Sequence, residues 1–245
     1  ERWVHVRDHL VLPGPDDETQ LIEQFRGFFE LEDITPADLR ERLLDPAEYW
    51  GWPNGIAVRT QVSKQADVAM LTWLHAGEFS DVEVAANYDY YEPRCTHNSS
   101  LSHAAYGMAA ARLGRSEAAL EHFRATALVD LLNTNHAVVG GTFIGGIHTA
   151  ACGGTIQLAV HGIGGLGFDG EALTVSPSLP AAWTMREYPV HWRGQNLRVR
   201  AEHGAVSITA DAQNDRAVDV VVAGRTTPIR PGTTATVSIA ASASD

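Results

Sequence analysis

Ser99-Ser100-Leu101-Ser102-His103-Ala104-Ala105-Tyr106-Gly107-Met108-Ala109-Ala110-Ala111-Arg112-Leu113-Gly114-Arg115-Ser116 is the stretch from which the fold is read most directly. Leu101, Ala104, Ala105, Met108, Ala109 and Leu113 recur at the spacing of an amphipathic helix, which predicts a helix from Ser99 to Leu113. Gly114 stops it, because glycine accepts the left-handed conformation that ends helices. A second helix follows at once, from Ser116 to Leu132. A connection this short leaves only an antiparallel pair.

Toward the N-terminus the texture stays helical. Thr35-Pro36-Ala37-Asp38 pairs an N-cap threonine with proline at the first helical position. Val62, Ala66, Ala69, Met70 and Trp73 predict a helix from about Gln61 to Ala76, and Ser80-Asp81-Val82-Glu83 is a capping box. Toward the C-terminus, Thr149 to Val160 predicts one more helix, and then the pattern changes. Ala172–Val175, Leu197–Ala201, Ala205–Ala210, Val218–Val222 and Thr234–Ile239 are short alternating runs separated by turn signals, which predicts an antiparallel β unit. Residues 1–130 carry 22 acids against 11 Lys or Arg, whereas residues 170–245 carry 7 of each. The chain therefore divides into a mainly α part, residues 1–168, and a β part, residues 169–245.

The whole chain has 245 residues, 44% hydrophobic and 20% charged, the composition of a folded globular protein of one large or two ordinary domains. A formal net charge of −12 disfavours nucleic acid and anionic membrane surfaces as partners. The run from Leu131 to Phe168 has no Asp, Glu, Lys or Arg, but its ten glycines interrupt any membrane span. Two cysteines, Cys95 and Cys152, form no disulfide framework and no metal-ligand spacing, which fits a reducing cytoplasm and no metal. Glu1-Arg2-Trp3 is neither a signal peptide nor an evident natural start, which suggests a truncated or processed chain.

Three places can carry chemistry. Lys64 is the only lysine among 18 cationic side chains, in Ser63-Lys64-Gln65-Ala66-Asp67 near a predicted helix start, where a ligand would meet both side chains and helix-end amides. A surface lysine is the plainer account. Tyr88-Asp89-Tyr90-Tyr91 and Thr96-His97-Asn98-Ser99-Ser100 gather aromatics, hydroxyls and amides before a helix, an arrangement that binds anions or merely caps the helix. Those aromatics are sugar platforms or plain core. Gly140-Gly141-Thr142-Phe143-Ile144-Gly145-Gly146-Ile147-His148 offers converging amides and a switchable donor, or a helix-packing turn; it lacks the ending of a phosphate-binding P-loop.

Taken in order, Glu23-Gln24-Phe25-Arg26-Gly27-Phe28-Phe29, Lys64-Gln65-Ala66-Asp67-Val68, Tyr90-Tyr91-Glu92-Pro93-Arg94, Thr96 to Ser102, Gly146-Ile147-His148, Gly153-Gly154-Thr155 and Val175-Ser176-Pro177-Ser178-Leu179-Pro180 resemble glycoside hydrolase family 65. The resemblance implies the C-terminal half of an (α/α)6 barrel followed by a small antiparallel β-sheet domain. It implies an inverting disaccharide phosphorylase: a Glu protonates the glycosidic oxygen while phosphate attacks the anomeric carbon of an α-glucoside, giving β-glucose 1-phosphate. That Glu is expected upstream of Glu23, so no catalytic residue is expected within these residues.

By resemblance, Lys64 and Gln65 hold glucosyl hydroxyls, and Ser99, Ser100 and His148 hold phosphate, a co-substrate in a reaction that needs no cofactor. Asn98 stands where the family usually has Asp, and Thr142-Phe143-Ile144 departs from the usual small and polar residues. Alternatives are a family hydrolase, which must add a base for water, and a non-catalytic carbohydrate-binding subunit. The expected partners are disaccharide, phosphate and the missing N-terminal half or a partner chain; a homodimer is possible. Were the acid within this chain, Glu92 would be the first suspect.

Overall fold

The computed structural model describes residues 2–10, 14–132, 146–170 and 172–240. Among these, helices α1 (Arg2–His9), α2 (Pro36–Glu41), α3 (Asp67–Leu74), α4 (Asp81–Tyr91), α5 (Ser102–Arg112), α6 (Ser116–Leu132) and α7 (Thr149–Gln157) precede all the strands. The predicted start signals act as expected. Thr35 with Asp38 and Ser80 with Glu83 form reciprocal capping boxes on α2 and α4. Gly114 is left-handed at φ +74°, and the N–H groups of Gly114 and Arg115 donate to Ala111 O and Ala110 O at 3.1 and 2.9 Å, closing α5 with a Schellman turn.

Two helices begin later than the apolar spacing predicts. Helix α3 starts at Asp67 rather than Gln61 because the preceding backbone is already engaged: Gln61 N–H donates to Glu32 O, Ser63 N–H to Arg94 O, and Thr96 N–H to Ser63 O. Lys64 therefore lies in the bend that follows the Ser63–Cys95 bridge, not at a helix start. Helix α5 starts at Ser102 rather than Ser99, leaving Ser99 and Ser100 in the turn before it.

Helix α7 continues as a π-helical turn over Leu158–Ile163. Its direction follows from three glycine contacts. A Cβ on Gly154 would meet Ala104 Cβ at 2.7 Å, one on Gly107 would meet Leu158 Cδ2 at 2.5 Å, and one on Gly162 would meet Met108 Sδ at 3.0 Å and Ala111 Cβ at 3.4 Å. The pairs 104/154, 107/158 and 111/162 run in the same order, so α7 lies parallel to α5 and their N-termini open at the same end.

The strands are β1 (Leu166–Asp169), β2 (Ala172–Val175), β3 (Met185–Trp192), β4 (Gln195–Glu202), β5 (Ala205–Ala210), β6 (Val218–Val222), β7 (Arg225–Ile229) and β8 (Thr234–Ser238). They form two sheets, β1-β2-β6-β7 and β3-β4-β5-β8. All pairings are antiparallel but one, and β2 with β6 is the parallel exception to the expected antiparallel unit. Alternation puts Leu197, Val199 and Ala201 of β4 inside with Val220 and Val222 of β6, so the sheets share one core. Met108, Ala110, Ala119 and Leu158 belong to that core too, which makes the β unit the support of the helices.

The strands begin at Leu166, ahead of the expected division at residue 168. The junction is stitched by Tyr188 Oη donating to Gly164 O at 2.8 Å and Ser178 N–H to Ile163 O at 3.0 Å. Gly165, at φ +70°, is required there, since a Cβ would lie 2.1 Å from the Ser176 carbonyl.

Candidate functional site

The segments 24–31, 49–65 and Thr96 enclose a cavity of about 470 Å³. Phe25, Tyr49, Trp50 and Trp52 give it apolar faces, and Gln24, Thr60, Ser63, Lys64, Gln65 and Thr96 give it hydrogen-bonding groups. Flat apolar faces with a few polar groups suit a sugar, whose ring has C–H faces and a hydroxyl rim. Lys64 and Gln65 are exposed toward solvent at its edge. Ser63 Oγ is buried with no hydrogen-bond partner among the described residues, a polar group that a ligand or water would satisfy.

Thr96 links this cavity to the next site, for Asn98, Ser99 and Ser100 follow it along the chain. Asn98 and Ser99 are buried and Ser100 is half-buried, with the Ser99 hydroxyl accepting Leu101 N–H at 3.3 Å. No side chain caps α5, whose N-cap position is Leu101. Helix α7 likewise has His148 at its N-cap with no side-chain cap bond. Because α5 and α7 are parallel, Ser99, Ser100 and His148 sit at the same end of the helical layer, beside two positive helix termini.

His148 is held by a residue the sequence reading passed over. Asp130, in the last turn of α6, accepts His148 N–H through Oδ2 at 2.8 Å and pairs with His148 Nδ1 through Oδ1. Those hydrogen bonds hold the Asp130 carboxyl below its ordinary range. The uncharged run was expected to contain no carboxylate, and Asp130 stands immediately before it.

His97, His103 and His122 gather behind the turn, their ring nitrogens within 4.8 Å of one another. His103 Nδ1 and His122 Nδ1 are 3.0 Å apart, so one donates and one accepts. His97 and His103 stack at 4.5 Å with planes 8° apart, which sets their in-plane lone pairs side by side rather than toward one point. In this arrangement the rings pack against one another. Burial opposes charge on His97, yet the Cys95 sulfur and Glu92 outweigh it and raise His97 to about 9. Burial, then the charge of His97, lowers His103 to about 3 and His122 to about 4. Glu92 Oε1 lies 3.4 Å from His97 Nε2, and this neighbour holds the Glu92 carboxyl below its ordinary range. A general acid needs the opposite shift, so Glu92 is a poor proton donor.

Of the residues singled out by sequence, Lys64 and Gln65 edge one cavity, and Ser99, Ser100 and His148 share one end of α5 and α7. Residues 140–145 of the glycine cluster lie outside the described residues. The Tyr88–Tyr91 aromatics are core: Tyr91 is buried with its hydroxyl donating to Ile22 O at 2.5 Å, and Tyr88 and Tyr90 carry Arg115 and Arg94 over their rings. The aromatic faces of the cavity come from Phe25, Tyr49, Trp50 and Trp52 instead. Among the described residues, no helix is long and apolar enough to cross a membrane.

The chain is similar to known proteins over most of its length. Residues 1–157 match the model of the glycosyl hydrolase family 65 central catalytic domain, and residues 166–227 match that family's C-terminal domain. A 1,2-alpha-glucosylglycerol phosphorylase of Bacillus selenitireducens is 43% identical over 91% of this chain and 29% of its own length. A nigerose phosphorylase of Lachnoclostridium phytofermentans is 38% identical over 82% of this chain and 27% of its own. A solved structure provisionally described as a kojibiose phosphorylase from the human microbiome superposes with a TM-score of 0.78 at 28% identity, over 94% of this chain and 32% of that one. The chain thus spans under a third of the length of these relatives.

Proposed function

The chain belongs to glycosyl hydrolase family 65, and on that premise we propose that it is the C-terminal half of an (α/α)6 barrel plus the sheet domain of an inverting disaccharide phosphorylase. The substrate is an α-glucoside. In the reaction the glycosidic oxygen takes a proton from a Glu supplied upstream, the C1–O bond breaks, and a phosphate oxygen bonds C1 from the opposite face. The products are β-glucose 1-phosphate and the released acceptor.

The observation that carries this reading is the shared end of α5 and α7. Ser99, Ser100 and His148 stand there beside two helix N-termini, a setting that favours a dianion over water. Lys64 and Gln65 would hold glucosyl hydroxyls over the aromatic walls of the adjoining cavity, and Lys64 adds positive charge on the nucleophile's approach. The names of the relatives, all phosphorylases, point the same way. The depressed Glu92 carboxyl is consistent with an acid supplied from outside this stretch. Residues 1–245 alone should then transfer no glucosyl group to phosphate until the upstream half is added. The unpaired Cys95 and Cys152 suit a reducing cytoplasm.

Hydrolysis is the second reading, and the Asp130–His148 pair is the observation that favours it, since a carboxylate-backed imidazole can take a proton from water. The full-length protein assayed on α-linked glucose disaccharides with and without inorganic phosphate separates the two. Cleavage that requires phosphate and yields β-glucose 1-phosphate supports the phosphorylase. Equal glucose release in phosphate-free buffer overturns it in favour of the hydrolase.

A further inference from the structure

We propose that Asp130 is a positioning residue for phosphate, fixing the His148 ring so that its Nε2 is the atom presented to the anion. The inference rests on the phosphorylase reading. Both carboxylate oxygens are committed to one neighbour: Oδ2 takes the His148 backbone N–H at 2.8 Å and Oδ1 takes ring Nδ1. Two contacts to one residue fix both its backbone and its ring torsion. With Nδ1 directed at Asp130, the remaining ring nitrogen, Nε2, is the one left for a ligand.

The location of the carboxylate needs explaining on its own. Asp130 lies in the last turn of α6, the end at which the helix dipole disfavours a negative charge. The cost is offset because the same carboxylate meets the N-terminus of α7, where His148 occupies the N-cap without a side-chain cap of its own. Asp130 thereby joins the C-terminal end of α6 to the N-terminal end of α7, beside the turn that holds Ser99 and Ser100. A helix tether alone would be served by the backbone bond. The second oxygen on Nδ1 is the part that a tether does not require.

The test is a double-mutant cycle in the full-length protein, with initial rates of glucosyl transfer measured against phosphate and against disaccharide. Asp130→Ala is expected to raise the phosphate KM about tenfold or more while the disaccharide KM stays within about twofold. Asp130→Asn, which keeps one acceptor oxygen for Nδ1, should recover part of that loss. In a His148→Ala background the Asp130→Ala change should have no further effect on the phosphate KM, because the two residues act as one unit. Equal effects of Asp130→Ala with and without His148 would overturn the proposal, as would a lowered melting temperature with unchanged phosphate KM. Those outcomes leave the phosphorylase reading intact, whereas activity without phosphate removes that reading and this one together.

Discussion

In the β unit the buried Gln195 side chain accepts the Asp215 N–H at 3.1 Å, and Ser207 with Thr236 and Thr209 with Thr234 bond across strands at 2.9 and 2.8 Å. In the helical region, Ser63 Oγ is buried without a hydrogen-bond partner among the described residues, and His97 holds a left-handed backbone at φ +52°. Leaving a buried polar group unpaired costs about 1–3 kcal/mol, and a non-glycine residue in that conformation costs about as much again. Such costs persist where a ligand or a neighbouring element collects them. The β unit carries like costs at Ser178 Oγ and at the left-handed Arg193 and Ala223, so what sets the turn around 96–100 apart is its place at the start of α5.

The largest expected effect lies in the β unit. Ile208, fully buried between the sheets, should cost about 2–5 kcal/mol as Ile208→Ala, since a cavity replaces packed atoms. Denaturant unfolding would read it as a lower midpoint, while the phosphate KM of the folded fraction stays unchanged. A shift in phosphate KM without loss of stability would erase the division between the two regions.

His148→Ala should do the reverse. Losing a charge-assisted bond to an anion costs about 1.5–3 kcal/mol, which is about a 10- to 150-fold rise in phosphate KM. Thermal unfolding should move little, because His148 is only part-buried. Unchanged phosphate KM would reduce His148 to a helix-start residue.

Acid should weaken the helical region first. His103 and His122 sit near 3 and 4 in the folded protein against an ordinary 6.5, so the unfolded chain binds protons more readily. Their contribution is complete above about pH 6.5 and is lost as pH falls toward 4. His97 works in the opposite direction: raised to about 9, it stabilises below about pH 6.5, and that contribution is lost as pH rises toward 9. Melting temperatures between pH 7 and 4 should fall by roughly 2–4 °C for each kcal/mol lost, and a His103→Gln, His122→Gln double variant should flatten that limb. An identical slope in the variant would show that the acid limb comes from other groups.

The division between helix and strand, the Gly114 stop and both capping boxes were legible in the sequence because each rests on local chemistry. Strand β1, β3 and β7 were not. Met185–Trp192 carries Pro189 and charged residues, and Arg225–Ile229 carries Pro228, so neither shows a clean alternation. The late start of α3 was invisible for another reason: pairing of Ser63 with Cys95 is a long-range backbone contact that periodicity cannot report. In the site, Lys64, Gln65, Ser99, Ser100 and His148 came from motif order. Asp130 and Ser63 needed three dimensions, since one side chain is defined by the residue it holds and the other by the lack of any partner.

The smallest effect is the sharpest test of the contrast. Ser63 lines the cavity with Lys64 and Gln65, and its hydroxyl is buried with no partner among the described residues. Ser63→Ala removes that hydroxyl and no hydrogen bond, so the unliganded protein should be unchanged in stability or slightly more stable. A sugar hydroxyl in the cavity would complete the bond, worth about 0.5–1.5 kcal/mol, and the variant should raise the disaccharide KM about 2- to 10-fold with the phosphate KM unmoved. A destabilised variant with normal kinetics would mean that Ser63 is satisfied within the free protein. The hydroxyl would then belong to the fold, as the Gln195 side chain does, and not to the sugar.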